Sequence, residues 1–202
     1  MGKLGIFGGT FNPIHNGHLH IARCFQEQLA LDSVMLIPSK RPTHKAAPDL
    51  ASSYDRLMMC RLATAGTPFT VSDMEITRKT ASYTVYTLEA LREKHPLDTL
   101  YLLMGEDMFL TLLDWKAPER ICALAVCCVA PRSEDGRERL LSYGKKLEQI
   151  GGQYRLLDIP FLPISSTQVR DRLRNGLPIS DLVPPRVAHY LREHPIYTGG
   201  SL

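Results

Sequence analysis

Two kinds of segment alternate along the chain. Short, nearly continuous apolar runs predict strands at Lys3–Phe7 (KLGIF), Ser33–Ile37, Phe69–Ile76, Thr99–Met104, Leu124–Ala130 and Tyr154–Ile159. Between them, apolar positions recur every three to four residues and predict helices over Gly17–Leu29, Ser53–Ala65, Tyr83–Lys94, Ser142–Gln149, Ser166–Arg174 and Pro185–Arg192. Runs such as LYLLM and LAVCCVA suit strands covered on both faces. The alternation therefore predicts an α/β fold: a doubly wound parallel sheet of about five to six strands with right-handed crossovers. Near Pro163 the sequence turns helical and basic. We expect one domain over 1–202, with an α/β core in 1–162 and a small C-terminal helical subdomain in 163–202. No internal repeat or low-complexity tract interrupts this plan.

Composition adds limits. The 202 residues suffice for one well-buried core and not for two large domains. A net charge of +3 with scattered basic residues gives no nucleic-acid footprint. Five cysteines, an odd number without framework spacing, fit a reducing compartment. Cys127 and Cys128 are neighbours in a strand, so their side chains should face opposite ways and pack as small hydrophobes. No signal peptide is expected, because the first strand runs straight into glycines and histidines. No window of about 18 apolar residues exists to cross a membrane. The expectation is a cytoplasmic protein, with self-association left open.

The candidate chemistry starts at GIFGGTFNPIHNGHLH, Gly5 to His20. The first strand ends at Gly8 and Gly9, and His15 and His18 stand between it and a helix N-terminus. Such a turn lies at the carboxyl end of a strand, where open α/β sheets bind ligands. Free backbone N–H groups, the positive end of the helix dipole and glycines favour an anion there. Neither G-x-x-x-x-G-K-[ST] nor G-x-G-x-x-G is present, so the P-loop and the dinucleotide fingerprint do not apply.

A second group is ISSTQVR, Ile164 to Arg170. Ser165 or Ser166 can cap the helix that follows. Three hydroxyls nevertheless precede an arginine, and Ser166 and Arg170 share a helix face. A third is GEDMFLTLLDW, Gly105 to Trp115, directly after LYLLM. Gly105 permits close backbone approach, and Asp107 can accept hydrogen bonds from ribose hydroxyls. Trp115 reads equally as an aromatic core residue.

GGTFNPIHNGH resembles the signature of the nucleotidyltransferase superfamily, in the form carried by bacterial nicotinate-mononucleotide adenylyltransferases. ISSTQVR is similar to that family's SST-x-(I/V)-R, and Gly105…Asp107…Trp115 to its G-x-D-x(7)-W. The resemblance implies a Rossmann-like sheet. It implies an ATP site formed by Gly8, Gly9, Thr10, Phe11, His15, His18, Gly105, Asp107, Ile164, Ser165, Ser166, Thr167 and Arg170. His15, His18 and Arg170 would be its catalytic members. It implies a mononucleotide site formed by Asn12, by His44 and Lys45 of the loop IPSKRPTHK, by Tyr83 and Thr84 of SYT, by Trp115 stacking on the pyridine ring, and by Arg132. Arg132 also reads as a solvated arginine opening a loop. Ser82 or Thr84 is the expected cap of the helix after SYT. Many relatives carry Asp where this chain has Tyr86, and Asp is also common at Asn12. The implied reaction is adenylyl transfer from ATP to nicotinate mononucleotide. Mg²⁺ would accompany ATP, without dedicated protein ligands.

Overall fold

The computed structural model describes residues 1–41, 49–131 and 134–197. Six strands form one parallel sheet: β1 (Lys3–Gly9), β2 (Ser33–Pro38), β3 (Phe69–Val71), β4 (Thr99–Gly105), β5 (Val126–Ala130) and β6 (Tyr154–Leu156), in the order β3-β2-β1-β4-β5-β6. The helices are α1 (Asn16–Leu29), α2 (Ser53–Thr64), α3 (Met74–Thr77), α4 (Thr84–Lys94), α5 (Glu106–Phe109), α6 (Pro118–Leu124), α7 (Glu134–Gln149), α8 (Ser166–Arg174) and α9 (Pro185–Glu193), with a 3-10 turn at Leu112–Asp114. The strand order reverses between β1 and β4, the switch point at which doubly wound sheets bind ligands.

Strand periodicity sorts the core into two layers. On one face Phe7 and Leu103 meet Ala22 and Phe25 of α1, Met59 and Ala63 of α2, Val169 of α8, and Val187 and Leu191 of α9. On the other, Leu4, Ile6, Leu100 and Leu102 meet Val85, Leu88 and Leu91 of α4, Ile121 of α6, and Leu140 and Leu147 of α7. Each buried Leu or Ile contributes about 1.5–3 kcal/mol of transfer free energy, so this two-sided burial is what holds the sheet. Cys127 and Cys128 divide between the two layers, both fully buried, and all five cysteines are free thiols. The helices after Pro163 pack in the same layer as α1 and α2.

Five boundaries differ from expectation by two or more residues, the first being β1, which runs through Gly9 and not only to Phe7. The third strand stops at Val71 and not at Ile76, because the Ser72 hydroxyl accepts the Met74 N–H and turns the chain into α3. Leu124 closes helix α6 and does not open β5. The helix α7 begins at Glu134 and not at Ser142, through a charged stretch with no apolar stripe to announce it. The sixth strand ends at Leu156, three residues early. Among the described residues no helix is long and apolar enough to cross a membrane.

Candidate active site

The crevice at the switch point is built on the turn that leaves β1. At Gly8 a Cβ would meet nothing within 4 Å, so the strand end opens outward. At Gly9 a Cβ would lie 2.8 Å from the Phe11 ring, so glycine lets that ring fold back. Phe11 sits at φ +48°, in the left-handed region, where a bulky residue costs on the order of 1–3 kcal/mol. Its ring compensates by being 2% exposed, edge to face with Phe7 at 5.7 Å and with His18 at 5.1 Å.

The turn is fastened from three directions. Asn12 Nδ2 donates to the Asp49 carbonyl at 2.9 Å, and its Oδ1 accepts from Ala51 N–H at 3.0 Å and from the Tyr197 hydroxyl at 2.6 Å. Arg170 Nη1 donates to the Asn12 carbonyl at 2.9 Å, and Ser166 Oγ to the Pro13 carbonyl at 2.9 Å. The structure therefore brings the glycine-rich turn and ISSTQVR together, and each sets the other's position. Ser165 is the cap of α8, accepting from Gln168 N–H at 3.1 Å, which frees Ser166 for the cross-link. Thr167 Oγ1 accepts from Arg170 Nη2 at 3.2 Å. Ile164 presents its carbonyl to Gly17.

His15 and His18 lie against each other, ring centres 3.7 Å apart and tilted by 30°. Gly17 makes this possible: a Cβ there would stand 3.0 Å from His15 Nδ1. His15 N–H donates to His18 Nδ1 at 3.2 Å, so the proton of a neutral His18 resides on Nε2, which becomes a donor. Burial lowers the His15 pKa from 6.5 to about 4. Burial, and secondarily the His15 charge, hold His18 well below its usual value. Both rings are thus neutral at pH 7. Among the described residues three buried side-chain polar atoms lack a partner, and two of them, His15 Nδ1 and Arg170 Nε, belong to this turn and its clamp.

The other wall follows β4. Gly105 is the N-cap of α5 and Asp107 is exposed in its first turn. Trp115 is half-buried at the edge of the core, its Nε1 donating to Thr111 Oγ1 at 3.2 Å. Tyr83 is the N-cap residue of α4, and no described side chain caps that helix. The expectation that Ser82 or Thr84 caps it is corrected: the Ser82 hydroxyl instead accepts the Lys40 N–H at 3.1 Å. His44, Lys45 and Arg132 lie outside the described residues. Among the described residues no group of three or more His, Cys, Asp or Glu side chains is placed to hold a metal ion.

Two supporting residues escaped sequence reasoning. Arg56 is fully buried and donates to the carbonyls of Thr10 (2.7 Å), Lys40 (2.9 Å) and Ala51 (3.2 Å). Its one signal is an arginine on the apolar side of α2, in register with Met59 and Cys60. Tyr197 lies 185 residues from Asn12, and nothing in the sequence pairs them.

Comparisons with known proteins agree with this architecture. The family model described as cytidylyltransferase-like matches residues 6–172. The chain is 43% identical over 203 aligned residues to a "probable nicotinate-nucleotide adenylyltransferase" of Neisseria meningitidis serogroup B, covering 98% of this chain and 99% of that one. It is 41% identical to a protein of the same name from Dictyoglomus thermophilum, covering 96% and 99%. Among solved structures it resembles the Plasmodium falciparum nicotinic acid mononucleotide adenylyltransferase complexed with NaAD, with a TM-score of 0.76, 19% identity and 98% of each chain covered, a likeness of fold.

Proposed function

The chain belongs to the cytidylyltransferase-like family and, within it, to the nicotinate-nucleotide adenylyltransferases, and from that premise we infer that it joins ATP to nicotinate mononucleotide. The products are nicotinate adenine dinucleotide and pyrophosphate. A phosphate oxygen of the mononucleotide attacks the α-phosphorus of ATP, and the bond from that phosphorus to the α–β bridging oxygen breaks, its electron pair leaving with pyrophosphate. The nucleophile is already an anion, so no protein base and no covalent intermediate are required. Catalysis then consists of positioning and of stabilising charge as it develops.

The observation that carries this reading is the convergence of two helix N-termini, those of α1 and α8, on one turn holding a neutral imidazole donor. We assign His18 Nε2–H to the charge growing on the α-phosphate and its bridging oxygen, with His15 completing the pair. Ser166, Thr167 and Arg170 would hold the β- and γ-phosphates that leave, and Gly8, Gly9 and Thr10 would let the triphosphate approach the backbone. Gly105 and Asp107 would receive the ribose, and Trp115 and Thr84 the pyridine ring with its carboxylate. Asn12, with both side-chain polar atoms bonded inside the protein, acts by fixing the turn. Mg²⁺ would enter on the phosphates of ATP, keeping water ligands, and would offset the charge of the leaving pyrophosphate.

Incubation with ATP, Mg²⁺ and either nicotinate or nicotinamide mononucleotide, with pyrophosphate measured, tests the assignment. Pyrophosphate should form with the acid at an efficiency far above that with the amide, since a site built on hydrogen bonds rejects a mismatched analogue by factors of about 10⁴. Equal efficiencies would make the chain a dual-specificity enzyme.

A further inference from the structure

Building on the acid mononucleotide as substrate, we propose that Lys116 determines specificity by supplying the positive charge that distinguishes a pyridine carboxylate from a carboxamide. Lys116 follows Trp115 directly, between the 3-10 turn and α6. Its ammonium lies 4.8 Å from the ring centre of Tyr83 and 4.9 Å from that of Tyr86. Those rings meet edge to face, 6.0 Å apart, at the head of α4. Three features thus converge: the indole assigned to the pyridine ring, an uncapped helix N-terminus and a cation held against its first turn.

The way the cation is held decides the argument. Aromatic faces attract an ammonium without cancelling its charge, whereas a carboxylate would pair with it and neutralise it. Among the described residues no carboxylate pairs with Lys116. The adjacent ion pair, Arg120 Nε to Glu89 Oε1 at 3.1 Å, ties α6 to α4 and leaves Lys116 outside it. Hydrogen bonding with the Tyr86 phenol raises the Lys116 pKa, so the group is charged at any working pH. A carboxylate beside the α4 terminus then gains a hydrogen bond between opposite charges, while an amide of the same shape, whose oxygen can accept from the same ammonium, brings no charge to pair with it.

The test compares kcat/KM for nicotinate and nicotinamide mononucleotides in the wild type, Lys116→Met and Lys116→Arg; Lys116 is exposed, so both variants should fold. Lys116→Met should raise KM for the acid and lower the acid-to-amide ratio roughly tenfold, with KM for ATP unmoved, as expected for losing one charged hydrogen bond. Lys116→Arg, which keeps the charge, should hold the ratio within about threefold of wild type. A ratio in the Met variant equal to wild type overturns the proposal, and so does an equal loss with both mononucleotides. A wild type that releases no pyrophosphate from the acid would instead overturn the functional reading on which the proposal rests.

Discussion

His18 is a donor because of what its other nitrogen does. With Nδ1 accepting the His15 N–H, and with burial disfavouring the imidazolium, the ring offers one N–H at Nε2 and no charge that varies near neutrality. Removing such a donor costs roughly 10²–10³-fold in turnover, so His18→Ala should lower kcat by that order while changing KM for ATP much less. Turnover within about threefold of wild type would end the assignment. The same burial sets a pH dependence of stability. His15 has a folded pKa of about 4 against 6.5 unfolded, so between these values the unfolded chain binds more protons than the folded one. Stability is therefore complete above about pH 6.5 and is lost as pH falls toward 4, by on the order of 3 kcal/mol for this group. Urea midpoints at pH 7.5 and 5 should show the loss, and His15→Asn should flatten it. Identical pH slopes in the two proteins would contradict the burial argument.

At the scale of elements, legibility followed amphipathicity. Helices α1, α2, α4, α8 and α9 carry apolar stripes that belong to the core, and their predicted bounds agree with the structure to within one residue. Helix α6 was hidden because its residues read on into the apolar run of β5, although Pro118 at its first turn is a start signal. The start of α7 was hidden for the opposite reason, a first turn whose sequence holds no apolar side chain. The two motifs proposed to bind phosphate stood out in the sequence because each pairs turn chemistry with a helix N-terminus. Their mutual bonding was not, since it runs from side chains to the carbonyls of Asn12 and Pro13, which carry no sequence signal. That bonding shapes the expectation for α8. The Arg170 guanidinium reaches the Asn12 carbonyl with one nitrogen and Thr167 with another, a fork that a single ammonium cannot reproduce. Arg170→Lys should raise KM for ATP about tenfold and leave that for the mononucleotide nearly unchanged. Equal changes in both would make Arg170 a brace for the turn and not a phosphate ligand.

Across the whole molecule, the sheet could be read from strand runs, and the position of the site followed from any doubly wound order. What could not be read is how distant loops are locked together at the switch point, and Arg56 is the clearest instance. It projects from α2 into the space behind the crevice and holds the carbonyls of Thr10 after β1, Lys40 after β2, and Ala51 before its own helix. Burial lowers its pKa, yet guanidinium keeps its proton at any physiological pH. Among the described residues no carboxylate pairs with it. Its charge is offset by three carbonyl dipoles, an arrangement that needs the five fixed donors of a guanidinium. Arg56→Lys would satisfy one of the three carbonyls and leave the others, one buried and two partly buried in the wild type, short of a donor, costing on the order of 2–4 kcal/mol. The denaturant midpoint should fall accordingly. Because the turn carrying His15 and the loop Ser39–Arg41 would loosen together, KM for both substrates should rise together, even at temperatures well below the new midpoint. A lower midpoint with unchanged kinetic constants would reduce Arg56 to a core staple. An unchanged midpoint would contradict the bonding itself.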